Sequence, residues 1–273
     1  MRDYATAARQ MSRIRWYQPG FTPKVFSLPV TFFPKRILVS HCLLLFWKMI
    51  FSAQAILFDM DGVLINSAPA VERVWRFWAS SHGLDPAAVV AQAHGRRSIE
   101  TIRAVAPGLD AEKENIVVEQ MEIEDRAGVT ALPGAAELLQ SLPADRFAVV
   151  TSATRPLAVA RMGYAGLTVP ANLVTADEVV HGKPSPEPYL KGATLLGFAA
   201  GDCVVFEDTP AGLASGRAAG AQTIGLHTTY PAAALHAAET VVASLAQVSA
   251  ELRQGTILLT IHAMVEDAGR GRQ

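Results

Sequence analysis

From residue 55 onward, short apolar runs alternate with helix-forming stretches, and this alternation constrains the fold more than any other feature. The runs stand at 55–58, 147–150, 173–175, 204–206, 223–226 and 240–242. Stretches with helical spacing at 134–141, 156–162, 186–196, 211–219 and 232–237 separate most of them. Strand–helix alternation of this kind builds βαβ units and a parallel sheet. Parallel strands are buried on both faces, so they read as unbroken apolar runs rather than as in–out patterns. The expected fold class is α/β, a doubly wound and mostly parallel sheet.

One segment breaks the alternation. Between residues 67 and 133 the sequence offers helix-like stretches at 71–81, 86–92, 98–105 and 111–127, with no strand among them. So long an insertion exceeds a simple crossover. It reads as a small helical domain set over the ends of the strands, its tryptophans Trp75 and Trp78 forming its own core. The expected organisation is a core of 53–66 and 134–250, the helical insertion at 67–133, and a C-terminal strand and tail at 251–273, with the strand at 256–261. Residues 1–52 read as a leader, disordered or a mis-assigned start, with Met49 as the natural first residue. The competing reading is a membrane-associated leader, but the apolar run 37–51 contains His41 and Lys48. It is also shorter than the roughly 20 residues that span a bilayer.

Composition narrows the function. Half of the 273 residues are hydrophobic, enough for a sizeable core, and the formal net charge of −1 gives no footing for nucleic acid. The two cysteines, Cys42 and Cys203, have neither metal-site spacing nor the number for a disulfide framework. These features suggest a cytoplasmic protein without a nucleic-acid partner.

Open α/β sheets gather ligands at the carboxyl ends of their strands. The first run ends in Asp59 and Asp61 followed by Gly62, the second in Thr151 and Ser152, and the fourth in Glu207 and Asp208. A glycine- and proline-rich loop before the fourth run carries Lys183. Carboxylates brought together in one cleft raise one another's pKa, and a hard cation such as Mg²⁺, which prefers oxygen ligands, removes that repulsion. A lysine beside hydroxyl-bearing turns suits a phosphoryl group. One carboxylate can then act as nucleophile through an aspartyl-phosphate, and a second as general acid and base. The glycines of "AGLASGRAAGA" suit close packing of a helix on the sheet rather than a nucleotide loop.

The stretches "DMDGVL", "VVTSAT", "GKPSPEPY" and "VVFEDTPAGLASGRAAGA" resemble, in order, the four motifs of the haloacid dehalogenase-like (HAD) phosphatases. The resemblance runs over residues 56–226, and "HGRRSIETI", "TSATRPLA" and "GKPSPEPYLKGATLLGF" bring it near to the sugar-phosphate and polyol-phosphate phosphatases. It implies a HAD-like Rossmannoid core with a helical cap, and a monomeric, Mg²⁺-dependent phosphatase for a small phosphorylated metabolite. Asp59 would be nucleophile and metal ligand. Asp61 would be acid/base and metal ligand through its carbonyl. Thr151 and Ser152 would bind the phosphoryl group, and Lys183 would neutralise it. Asp208 would bind the metal, with Glu207 as a ligand or as support behind one. On the cap loop His94, Gly95, Arg96 and Arg97 would reach the substrate, Arg97 being the arginine chosen, and Arg155 would border the site.

A sugar phosphomutase of the same superfamily shares these residues and is the main alternative. A dehalogenase fits poorly, since Asp61 supplies the second acid that ester cleavage needs. A non-catalytic binding protein would not require the full set of Asp59, Asp61, Lys183 and Asp208.

Overall fold

The structure is a computed structural model and describes residues 15–17 and 48–262. The first described strands, β1 (Arg15–Tyr17) and β2 (Lys48–Ala53), pair antiparallel, and after the single residue Gln54 the chain passes into β3 (Ala55–Phe58). All four β3 residues are buried, so this strand has no solvent face.

The chain then leaves the core. A ribbon of β4 (Ile65–Asn66) and β5 (Thr130–Ala131) holds the outgoing and returning connections side by side. Beyond it stand four helices, α1 (Ala68–Ser81), α2 (Pro86–Ala93), α3 (Ser98–Val105) and α4 (Ala111–Glu124). Asp85 caps α2 by accepting from Ala87 N at 3.0 Å, and Asp110 caps α4 by accepting from Lys113 N at 3.2 Å. These caps satisfy amides that a helix start leaves unpaired. The helices share their own core, in which the Trp75 and Trp78 rings meet edge to face at 5.6 Å. Trp78 Nε1 donates to Glu114 at 2.8 Å, which lets a fully buried indole keep a hydrogen bond.

Returning, the chain forms α5 (Ala135–Ser141), β6 (Phe147–Val150), α6 (Arg155–Tyr164), β7 (Leu173–Val174), α7 (Glu187–Leu195), β8 (Cys203–Glu207), α8 (Pro210–Ala218), β9 (Gln222–Leu226) and β10 (Thr240–Val242). Six strands make one parallel sheet in the order β10-β9-β8-β3-β6-β7. Alternate strand residues feed two cores. Ile56, Phe58, Val149 and Phe206 pack with α5, α6 and the antiparallel sheet. Leu57, Val150 and Val205 pack with α7. Phe58 and Phe206 stack across neighbouring strands at 5.3 Å, and each such buried ring contributes about 1.5–3 kcal/mol. From β3 the chain moves toward β6 and β7, and from β8 it moves toward β9 and β10. The crevice between β3 and β8 is therefore the switch point, where α/β sheets bind ligands.

The sequence differs from this picture in four places, the first being the two-residue strand β5 inside 67–133, too short to leave a pattern where no strand was expected. The expected leader over 1–52 overlaps β2, and Met49 lies inside that strand, paired with Ile261, rather than ahead of it. The rest of the leader, apart from β1, and the tail beyond 262 lie outside the described residues. The apparent single last strand is one half of a hairpin, β11 (Val248–Arg253) with β12 (Thr256–His262), and β12 also pairs with β2. β11 is mostly exposed and so has no apolar run to betray it. The stretch 232–237, expected as a helix, is a single 3₁₀ turn at Ala232–Leu235, in which only Leu235 is buried. One buried side chain gives a longer helix no tertiary support.

Candidate active site

The carboxyl edge of the sheet carries the site. Asp59 follows β3, and its amide donates to Phe206 O at 3.0 Å, so the strand pairing with β8 extends to the aspartate. The chain then turns sharply: Gly62 N donates to Ile65 O at 2.7 Å, and the Leu64 and Ile65 amides return to Met60 O. Gly62 has φ +80°, and a Cβ there would lie 1.9 Å from Asp208 Oδ2. Only glycine combines that conformation with that approach.

Lys183 is the hub. Its Nζ donates to Asp59 Oδ1 at 2.6 Å, to Glu207 Oε1 at 2.6 Å and to Val150 O at 3.1 Å, which uses all three ammonium donors. Burial alone would lower its pKa, but the two carboxylates outweigh that and hold it above the usual lysine range. Burial pushes Asp59 up to about 7, with Lys183 opposing and Glu207 and Asp61 adding to the rise. Asp208 is held well above the ordinary carboxylate range, by burial first and then by repulsion from Glu207 and Asp59.

Glu207 is placed behind the site. Oε1 accepts from Lys183 and from Tyr189 Oη at 2.7 Å, and Oε2 accepts from the Asp208 and Thr209 amides and from Thr209 Oγ1. Asp208 Oδ1, by contrast, is buried with no hydrogen-bond partner. Carboxylate oxygens of Asp59, Glu207 and Asp208 lie within 4.8 Å of one another, close enough to share a metal ion. An unpartnered buried oxygen and a surplus of carboxylates over cations fit such an ion. With both Glu207 oxygens already engaged, the residues that fit as direct ligands are Asp59 and Asp208, and Glu207 orients Lys183 and the Asp208 backbone. Of the two roles the sequence left open for Glu207, ligand or support behind one, these contacts favour support.

A cleft of about 230 Å³ lies between sheet edge and cap. Asp59, Asp61, Thr151, Ser152, Asp208, His94 and Arg96 line it. Thr151 Oγ1 accepts from Ala153 N at 3.1 Å, and α6 starts only after Thr154, so neither Thr151 nor Ser152 is its N-cap. The cap loop closes directly on the core: Ser152 Oγ donates to Gly95 O at 3.3 Å. Gly95 has φ +74°, and a Cβ there would stand 2.7 Å from Thr209 Cγ2. Burial lowers the His94 pKa, against Glu72 and Asp61, which favours the neutral ring.

Two expected substrate contacts lie elsewhere. Arg97 binds Glu100 and donates to Val179 O at 3.4 Å and Val180 O at 3.2 Å, so it latches the cap to the loop that carries Lys183 while its neighbour Arg96 faces the cleft. Arg155 donates through Nη2 to Leu173 O at 3.0 Å and pairs with Glu178 at 3.2 Å. These partners draw its side chain away from the cleft.

Three residues not singled out as site residues are also brought in. Arg161 of α6 donates from Nη1 to Asp61 Oδ2 at 2.8 Å. Its Nη2 lies 3.3 Å from Oε1 of Glu122, on α4 of the cap. Trp75, expected only as cap core, is also part of the cleft wall.

Comparison with known proteins identifies the family. The family model of the haloacid dehalogenase-like hydrolases matches residues 53–220. Hexitol phosphatase A of Escherichia coli (strain K12) is 44% identical over 198 residues, covering 71% of this chain and 92% of that protein. Glycerol-1-phosphate phosphohydrolase 2 of Saccharomyces cerevisiae is 39% identical over 189 residues, covering 64% and 75%. The crystal structure of a β-phosphoglucomutase from Clostridium difficile superposes with a TM-score of 0.61 over 72% of this chain and 93% of its own, at 21% identity, which shows a shared fold.

Proposed function

The chain belongs to the haloacid dehalogenase-like hydrolases, and from that premise we propose that it is a Mg²⁺-dependent phosphatase of a small sugar or polyol phosphate. The observation that carries the reading is Asp59 at the tip of a buried strand, hydrogen-bonded by Lys183, with an unpartnered Asp208 oxygen beside it. Support for the substrate class comes from the hexitol and glycerol phosphatases among the relatives.

In this reading a carboxylate oxygen of Asp59 attacks phosphorus. The ester P–O bond breaks, and Asp61 gives its proton to the departing oxygen. Asp61 then takes a proton from water, the water oxygen bonds to phosphorus, and the aspartyl P–O bond breaks to return the Asp59 carboxylate and free phosphate. Lys183 offsets charge on Asp59 and the phosphoryl oxygens, and Thr151 and Ser152 border that group. Asp59, Asp208 and the Asp61 carbonyl would hold Mg²⁺, which supplies positive charge to the phosphoryl oxygens and favours ionised Asp59. The cap excludes water from the first step. A cytoplasmic setting belongs to the same proposal, supported by the free, buried Cys203.

The test is ³¹P NMR on hexitol, glycerol and hexose phosphates, including glucose 1-phosphate, with Mg²⁺. Inorganic phosphate from the polyol and 6-phosphate esters is the expected product. Conversion of glucose 1-phosphate to its isomer without phosphate release would replace the phosphatase with a mutase.

A further inference from the structure

Arg161 is 5% exposed, yet it carries a permanent charge. It reaches the cleft from α6 and divides its guanidinium between core and cap: Nη1 donates to Asp61 Oδ2 at 2.8 Å, and Nη2 stands 3.3 Å from Glu122 Oε1. Glu122 is 4% exposed and lines the cleft together with Trp75. Asp61 Oδ1 is buried with no partner, so the two oxygens of this carboxylate are unlike. Oδ2 is pinned and Oδ1 is shielded, while the side chain as a whole stays 29% exposed.

We propose that Arg161 is a positioning residue for proton transfer: by gripping Oδ2 it fixes the Asp61 carboxyl at the cleft, turned toward the substrate's leaving oxygen, and Glu122 on the cap pairs by charge with the other end of the guanidinium. The inference rests on Asp61 being the general acid. Without the pin, the carboxyl swings about its side-chain torsions and less of the population presents its proton correctly. Because Glu122 rides on the cap, the aim of Asp61 is set together with the seating of the cap. The opposing reading is structural: Arg161 merely balances buried carboxylates and glues α6 to α4.

Leaving-group dependence separates the two. An alkyl phosphate expels a poor leaving oxygen and needs the proton, whereas p-nitrophenyl phosphate expels a stable phenolate and hardly needs it. Asp61→Asn, Arg161→Met, Arg161→Lys and Glu122→Gln would be compared with the unmutated protein on glycerol phosphate or a hexitol phosphate and on p-nitrophenyl phosphate. Arg161→Met is expected to lower kcat for the alkyl ester by roughly 10²-fold, the size of a general-acid contribution. Its loss on the aryl ester should be at least ten times smaller by the same argument, with KM little changed. Arg161→Lys should recover part of the alkyl rate, and Glu122→Gln should show a smaller loss with the same selectivity. Should Arg161→Met not fold, the Lys and Gln variants carry the comparison. Equal losses on both esters, with Asp61→Asn selective, would overturn the role of Arg161 alone. An Asp61→Asn variant that loses both esters equally would remove Asp61 as the acid, and the inference with it.

Discussion

The two sides of the cleft solve one electrostatic problem differently. On the core side a single ammonium, Lys183, is shared by Asp59 and Glu207 while a third carboxylate, Asp208, has an oxygen with no partner. On the cap side a single guanidinium, Arg161, serves Asp61 and Glu122. Three carboxylates to one cation leave the core cluster short of positive charge, and two to one leave the cap side nearly balanced. The core side is built to take up a cation, and the cap side is built to aim a side chain. Backbone reflects the same division. Strand ends and a glycine turn fix the core cluster, whereas the facing helices α4 and α6 assemble the other.

The sharpest way to break the contrast is to remove the core hub. Lys183→Met leaves two buried carboxylates without their counter-charge, and losing one partner of such a pair typically destabilises by about 3–5 kcal/mol. Urea denaturation without metal should show a loss in that range and phosphate release should vanish. Divalent cation should recover part of the stability and none of the activity.

Asp208→Asn should act in the opposite sense on stability. In the metal-free protein the folded pKa values of Asp208 and Asp59 are raised, Asp59 to about 7, so the native state binds more protons than the unfolded chain. Stability is then greatest below the ordinary carboxylate range and falls as pH rises toward 7, by at most about 1.4 kcal/mol per pH unit for each such group. Asp208→Asn should flatten that decline and raise the metal-free Tm near pH 7 by roughly 2–4 °C per kcal/mol relieved. It should also abolish both activity and the rise in Tm that Mg²⁺ gives the unmutated protein. A metal-free Tm that climbs between pH 5 and pH 7 would contradict the charge surplus on the core side.

Substitutions of the more exposed arginines should be milder and discriminating. Arg96→Ala is expected to raise KM about tenfold, the size of one lost charged contact, while Arg155→Ala should leave KM within about twofold because its partners are Leu173 O and Glu178. Steady-state kinetics on one ester decides it. Smallest of all is the response of Cys203, whose thiol burial pushes up to about 12. Peptide mapping after alkylation at pH 8 should find it unmodified in the folded protein and modified in urea.

This division also governs what could be read without coordinates. Asp59, Asp61, Thr151 and Asp208 all lie at or beside the ends of apolar runs, a strand end has one place to go in an open α/β sheet, and Lys183 was legible only through its glycine- and proline-rich loop motif. Helix faces are harder. Arg96 and Arg97 are adjacent, and only the fold shows that the latter reaches the loop at 179–183 while the former meets the cleft. Arg161 and Glu122 did leave a signal: Arg161 falls on the stripe of Leu157, Ala158 and Met162 that α6 buries, and Glu122 stands four residues after the buried Val118 on α4. A charge at a core-facing helical position is seldom buried without a partner, and here the two are each other's partners. β2 and β11 were missed for another reason, since one resembled the end of a leader and the other is an exposed strand with little apolar pattern.

The most direct test of the central claim is acid-quench mass spectrometry during turnover of glycerol phosphate or a hexitol phosphate with Mg²⁺. The expected result is a phosphoryl group on the peptide containing Asp59, appearing within the first turnover and absent from Asp59→Asn, which should release no phosphate. A phosphoryl group on any other residue, or sustained phosphate release by Asp59→Asn, would contradict the assignment of Asp59 as the nucleophile.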